Sequence, residues 1–246
     1  MQTRGSRVAS STRSGDPRHA GHPSGLHGAA GRYLEAAYYL HQEGEEVRTG
    51  KLAEWLGVSP PSASEALRRL ERDGLVVLDA AHRVELTEEG EAMASHVVRR
   101  HRVLEVWLTD VLGFDWVRAD EEAHAIAPAL SDQVLDRLQH SLGDPVTCPH
   151  GNLIPGSAAP ARRLIRLTEL EPGRSGQIAR VSELAEHQAP SVLTFLYDAG
   201  IVPGRKLVVV TPDEGAGVMA IELDDGRLQH LSLAVADVLW VEAPLP

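Results

Sequence analysis

Residues 59–86, SPPSASEALRRLERDGLVVLDAAHRVEL, decide the fold. Ser59 suits a helix N-cap, and Pro60 suits the first helical position, where its missing N–H costs nothing. Ala63, Ala66, Leu67 and Leu70 recur at i, i+3, i+4 and i+7, which is one apolar helix face. Asp73-Gly74 ends that helix. Residues 75–78 then read as a strand, 79–82 as a turn and 83–86 as a second strand. Just upstream, Thr49 reads as the cap of a helix carrying Leu52, Ala53 and Leu56, closed by Gly57. A still earlier helix carries Leu34, Ala37, Tyr38 and Leu40 and ends near Gly44. Two short helices joined by a tight glycine turn and followed by a two-stranded wing predict a winged helix-turn-helix.

The outward face of the third helix shows Pro61, Ser62, Ser64, Glu65, Arg68, Arg69 and Arg72. Small residues at its N-terminal end allow approach to base edges, and the later arginines suit phosphates. Lys51 and Ser59 complete the candidate DNA-binding set. Taken alone, such a face is also that of an ordinary solvated helix. Residues 45–91 carry six cations against eleven anions, so contact with the phosphates rests on the local arginine cluster.

A long helix follows, capped by Thr87, with Glu88 and Glu89 in its first turn and reaching Gly113. A second helical stretch runs over 121–138, broken or kinked at Pro128. An apolar helix pair behind a DNA-binding domain suits a dimerisation element; a larger helical core is the simpler alternative. Residues 141–163 are turn-rich and read as a linker, and Cys148 and His150 within it read as loop structure. From residue 164 the pattern changes to five or six short strands, a hairpin at Asp225-Gly226 and one helix over 190–199, which suggests a small SH3-like barrel. The fold class is therefore α+β. The expected division is a disordered tail at 1–28, the winged helix-turn-helix at 29–95, a helical dimerisation and metal domain at 96–142, a linker at 143–163 and the SH3-like domain at 164–246.

The 246 residues carry 24 Lys and Arg against 35 Asp and Glu, and 43% are apolar, a soluble composition. No apolar run suits a membrane helix, and the N-terminal segment lacks the apolar stretch of a secretory signal. One cysteine excludes a disulfide framework or a multi-cysteine metal site and fits a reducing cytoplasm.

Several motifs, in order, resemble the diphtheria-toxin-repressor and manganese-regulator (DtxR/MntR-like) family. They are YLEAAYYL, SPPSASEALRRLERDGLV, LTEEG leading into RRHRVLEVWL, SDQVLDRL and PHGNLIPG, then LTELEPGRSGQIARV with DAGIVPGRKL in the SH3-like, or FeoA-like, third domain. The resemblance implies a cytoplasmic homodimer that binds double-stranded operator DNA under control of Mn²⁺ or Fe²⁺. His101 and Glu105 match the family's His-x-x-x-Glu, an i, i+4 pair on one helix face. A His–Glu pair one turn apart is otherwise a simple hydrogen bond. Asp120 falls where the family has a second histidine; its carboxylate favours the harder Mn²⁺. Glu186 resembles the glutamate that the third domain extends to this ancillary site, with His187 or Gln188 as alternatives.

The family's primary site is altered. Arg32 replaces a first-helix ligand, Glu35 matches a glutamate of the manganese sensors, His124 replaces a Cys or Glu, and Ala127 and Pro128 replace a Glu-His pair. Arginine repels a metal ion. Two readings of Arg32 follow: it pairs with Glu35, Glu121 or Glu122 as a substitute tie, or it points to solvent and the site is dead. The function expected is a regulator of metal homeostasis sensing the ion at the ancillary-type site. The alternative is a relative acting independently of metal or on another signal. No Ser-His-Asp order, phosphate loop or HExxH motif points to an enzyme, and an adaptor role for the SH3-like domain would be secondary.

Overall fold

The computed structural model describes residues 28–158, 162–213 and 217–243; of the N-terminal tail expected to be disordered, residues 1–27 lie outside them. Three helices, α1 (Ala29–Gln42), α2 (Thr49–Trp55) and α3 (Pro60–Arg72), precede a wing of β1 (Val76–Leu78) and β2 (Val84–Leu86). Ser59 caps α3 as expected, accepting from Ser62 N at 3.3 Å. Thr49 does not cap α2 but is its first residue, with Arg48 ahead of it. The wing does that work instead: Thr49 N donates to His82 O at 3.1 Å. Leu34, Leu40, Leu52, Ala63, Leu67, Leu70, Val76 and Val84 form one buried cluster.

Helix α4 (Glu88–Val106) is capped by Thr87 and continues through a π-helical turn at Trp107–Val111. It crosses the wing closely. A Cβ on Gly90 would lie 1.9 Å from Leu75 O, so only glycine permits this approach. Helix α5 spans Trp116–Ile126, starting earlier than the apolar periodicity suggests because Asp115 caps it, accepting from Arg118 N at 2.9 Å. Pro128 sits in a 3₁₀ turn, Ala127–Ala129, and separates α5 from α6 (Asp132–Ser141).

The third domain contains β3 (Leu164–Arg166), β4 (Ser175–Val181), α7 (Glu183–Gln188), α8 (Pro190–Ala199), β5 (Lys206–Asp213), β6 (Val218–Leu223), β7 (Leu228–Ser232), α9 (Leu233–Asp237) and β8 (Leu239–Glu242). Its strands form an antiparallel sheet in the order β3-β8-β4-β5-β6-β7, with register shifts in β4 and β5 that bend it. This is the expected SH3-like fold, with two short helices, α7 and α9, that the sequence pattern did not reveal. Its core includes Ile178, Val181, Leu193, Leu196, Val209, Ile221 and Leu239, and also Trp116 of α5. The third domain therefore packs directly on the helical domain. Among the described residues, no helix is long and apolar enough to cross a membrane.

Candidate metal centre

Helix α4 places His101 and Glu105 one turn apart, both buried. Helix α5 places Asp120 and His124 one turn apart and facing them. His101 Nε2 lies 3.4 Å from Glu105 Oε1 and 3.1 Å from Asp120 Oδ1. His124 Nδ1 lies 3.3 Å from Asp120 Oδ1, and its ring meets that of His101 edge-on at 4.2 Å. Glu35 of α1 is buried beside them and accepts from Tyr39 Oη at 3.1 Å.

The segment read as loop structure also belongs to this cluster. His150 Nδ1 is 3.3 Å from Glu105 Oε1, and Cys148 Sγ is 3.8 Å from His150 Nδ1. Both are buried, and His150 packs edge-on against Trp116 at 4.9 Å. Gly151 makes this docking possible. It has a φ of +86°, and a Cβ there would lie 2.1 Å from Ala179 O. Three overlapping groups of candidate ligand atoms result, each within 4.8 Å: Glu35–His101–His124, His101–Glu105–Asp120 and Glu105–Cys148–His150.

These residues suit a divalent transition metal. Glu105 is 1% exposed, yet among the described residues neither of its oxygens has a hydrogen-bond partner, and neither has His101 Nδ1. A buried carboxylate oxygen left in that state is costly unless a cation or donor meets it. The oxygen and imidazole donors suit Mn²⁺ or Fe²⁺, and the Cys148 sulfur adds a softer donor that favours iron.

The electrostatics of the metal-free cluster are those of a proton standing among carboxylates. Burial disfavours the His101 imidazolium, but Glu105 and the hydrogen bond to Asp120 outweigh it and hold the pKa well above the ordinary value. Burial pushes Glu105 up, but His101 and His150 pull it below the usual carboxylate range. Asp120 is likewise lowered, its burial overcome by hydrogen bonds from His101 and His124. A cation entering this cluster would compete with that proton.

Other predicted residues fall elsewhere. His187 does not join the cluster: it stacks on Trp55, with ring centroids 4.3 Å apart, and donates to Trp55 O at 2.6 Å. The side chains of Glu186 and Gln188 lie outside the described residues. From α7 it is Glu183 that reaches inward, pairing with Arg102.

Arg32 is exposed and forms no ion pair among the described residues, because Arg118 holds Glu121 and Glu122 and Tyr39 holds Glu35. Of the two readings of Arg32 it is the solvent-facing one that holds, and the substitute tie is absent among the described residues. Arg100 instead bridges α4 to this region, donating to Leu130 O and Asp132, with Ala127 O at 3.4 Å. Ala127 and Pro128 offer no ligand there, and a cavity of about 560 Å³ remains between Gly31, Val97, His124 and Pro128.

On α3, Pro61, Ser62, Glu65, Arg68, Arg69 and Arg72 are exposed and Ser64 half-buried. Arg69 lies 4.0 Å from Glu65. Ser59 is engaged in its cap. Lys51 is paired with Glu45 at 2.6 Å, so its charge is already partly spent within the protein.

A winged helix-turn-helix, a buried cluster of His, Asp, Glu and Cys, and an SH3-like third domain define a metal-dependent transcriptional repressor. Residues 26–82 match the iron-dependent repressor N-terminal DNA-binding domain, 87–156 its metal-binding and dimerisation domain, and 165–243 the FeoA domain. The chain is 36% identical to the iron-dependent repressor IdeR of Mycobacterium tuberculosis, over 80% of this chain and 91% of that protein. It is 34% identical to the diphtheria toxin repressor of Corynebacterium diphtheriae, over 74% and 84%. It superposes on a manganese-dependent transcriptional repressor in complex with manganese, with TM-score 0.79 and 34% identity, over 88% of this chain and all of that one. The chain belongs to the iron-dependent repressor family, that of the diphtheria toxin repressor.

Proposed function

We propose that this chain is a cytoplasmic, homodimeric repressor that binds operator DNA through α3 when Mn²⁺ or Fe²⁺ occupies the centre of His101, Glu105 and Asp120, with Cys148 and His150 as further ligands. The observation that carries this reading is Glu105: a buried carboxylate whose Oε1 lies 3.4 Å from His101 and 3.3 Å from His150, with no hydrogen-bond partner for either oxygen among the described residues. When bound, the ion supplies the positive charge that Glu105 and Asp120 are placed to neutralise. Glu105 is common to two candidate ligand groups, His101–Glu105–Asp120 across α4 and α5 and Glu105–Cys148–His150 with the 148–150 segment.

The arginines of α3 contact phosphates, while Pro61, Ser62 and Ser64 approach base edges. Dimerisation uses the face where Val111 and Leu112 are exposed and Trp107, Phe114, Ile126 and Leu130 are partly buried; such an apolar patch fits an isologous contact. Calorimetric titration with Mn²⁺ tests the metal reading. At least one ion should bind per chain, and Glu105→Ala should abolish binding at the centre. Equal binding by wild type and Glu105→Ala would overturn it.

A further inference from the structure

We propose that the short helix α7 of the third domain carries the state of the metal centre to the DNA-reading helices, with His187 as the positioning residue at the end of that path. The inference rests on the DNA-binding reading above.

The path is continuous in bonded contacts. His150 meets Glu105 through Nδ1, and its carbonyl accepts from Val181 N at 2.8 Å. Asn152 Nδ2 donates to Val181 O at 3.1 Å, and Arg180 donates to Asn152 Oδ1 at 3.2 Å. The 148–152 segment and the end of β4 are thus one hydrogen-bonded unit. Two residues beyond Val181, α7 begins with Glu183, whose backbone N–H donates to Glu43 Oε1 at 3.1 Å. The same oxygen of Glu43, at the end of α1, accepts from Arg180. The Glu183 carboxylate pairs with Arg102, the residue after His101 on α4. At the far end of α7, His187 lies flat on Trp55 and donates to its carbonyl. Trp55 is the last residue of α2, and Gly57 and Ser59 follow directly, leading into α3.

Helix α7 therefore grips the ends of α1 and α2 and the middle of α4, while β4 ties it to the segment that carries His150. A cation held by Glu105 and His150 restricts that segment, and the restriction passes through Val181 and Glu183 to Trp55. The more direct route, from α1 to α4 and α5, keeps only Glu35, His101 and His124 as candidate ligands, since Arg32 is exposed and Ala127 and Pro128 cannot coordinate. Coupling of this kind is reciprocal, so ordering of α2 and α3 by DNA must also tighten metal binding.

The test uses the full chain and a duplex selected from a random pool by the Mn²⁺-loaded wild type. His187→Ala removes one surface stack and leaves the buried core intact. It should bind Mn²⁺ as wild type does by calorimetry, yet the Mn²⁺-dependent gain in duplex affinity should fall at least tenfold. Hydrogen exchange of residues 49–72 should slow on Mn²⁺ addition in wild type and not in His187→Ala. A full metal-dependent gain in the variant would overturn the inference, and so would loss of Mn²⁺ binding, which would make His187 a ligand. If wild type selects no duplex, the DNA reading fails on its own. The exchange measurement then judges the path, and Mn²⁺-induced protection that is equal in both proteins, or absent from wild type, contradicts it.

Discussion

Burial disfavours the charged form of His101, but Glu105 and Asp120 hold its pKa well above the ordinary value, at the centre proposed to take a metal. Its raised pKa makes its ion pairs with Glu105 and Asp120 a stabilising feature of the metal-free protein. That contribution is fully present below the ordinary imidazole pKa and is lost as pH rises through the raised one. The same proton competes with the ion, so Mn²⁺ affinity should increase with pH across that window. Calorimetry in buffers of different ionisation enthalpy should show proton release on binding, and affinity independent of pH would contradict the assignment. His101→Ala should weaken Mn²⁺ binding by about tenfold or more, the scale seen when a metal's supporting groups are lost. On the DNA side, Arg69→Ala should weaken binding to all duplexes alike and lower the salt slope by about one, read from affinities at several salt concentrations. An unchanged slope would remove Arg69 from the phosphate contacts.

At the scale of elements, the 148–152 segment shows how a turn-rich stretch becomes part of a site. Gly151→Ala places a Cβ against Ala179 O in a left-handed conformation. It should cost about 2–4 kcal/mol of stability and weaken Mn²⁺ binding, both measurable by thermal unfolding with and without the ion. The helix caps at Ser59 and Thr87 were legible because a side-chain oxygen ahead of an apolar periodic run has a local physical meaning. The wing was legible from its strand–turn–strand pattern after Asp73-Gly74, whereas the His101–Glu105 pair was picked out by the family resemblance, its i, i+4 spacing only placing both side chains on one helix face. Helices α7 and α9 were not: six and five residues show too little periodicity to announce a helix. Cys148 and His150 were set aside because their partner, Glu105, lies more than forty residues away in sequence, and only the close approach at Gly151 brings them together. The Arg32 tie failed for a comparable reason. Carboxylates near the start of α5 were in reach of any cation, and Arg118, one turn away on the same helix, takes them first.

At the scale of the molecule, the third domain closes against both of the others rather than hanging from a linker. Trp116 of α5 lies in its core, and Glu43 and Trp55 of the winged domain are bonded to β4 and α7. In the proposed function two such chains together read a two-fold operator. Replacing Val111 and Leu112 together with Glu should yield a monomer by analytical ultracentrifugation while leaving metal binding intact, and a dimer unaffected by both changes would place the interface elsewhere. The central claim is that the buried cluster on α4 and α5 makes DNA binding depend on a divalent metal. The most direct measurement is the affinity of a duplex selected by the metal-loaded protein, read by fluorescence anisotropy first in chelator and then in excess Mn²⁺ or Fe²⁺. The account predicts at least a tenfold tightening with metal in wild type, within the range of ordinary allosteric coupling, and none in Glu105→Ala. Equal affinity in chelator and in metal for the wild-type protein would contradict it.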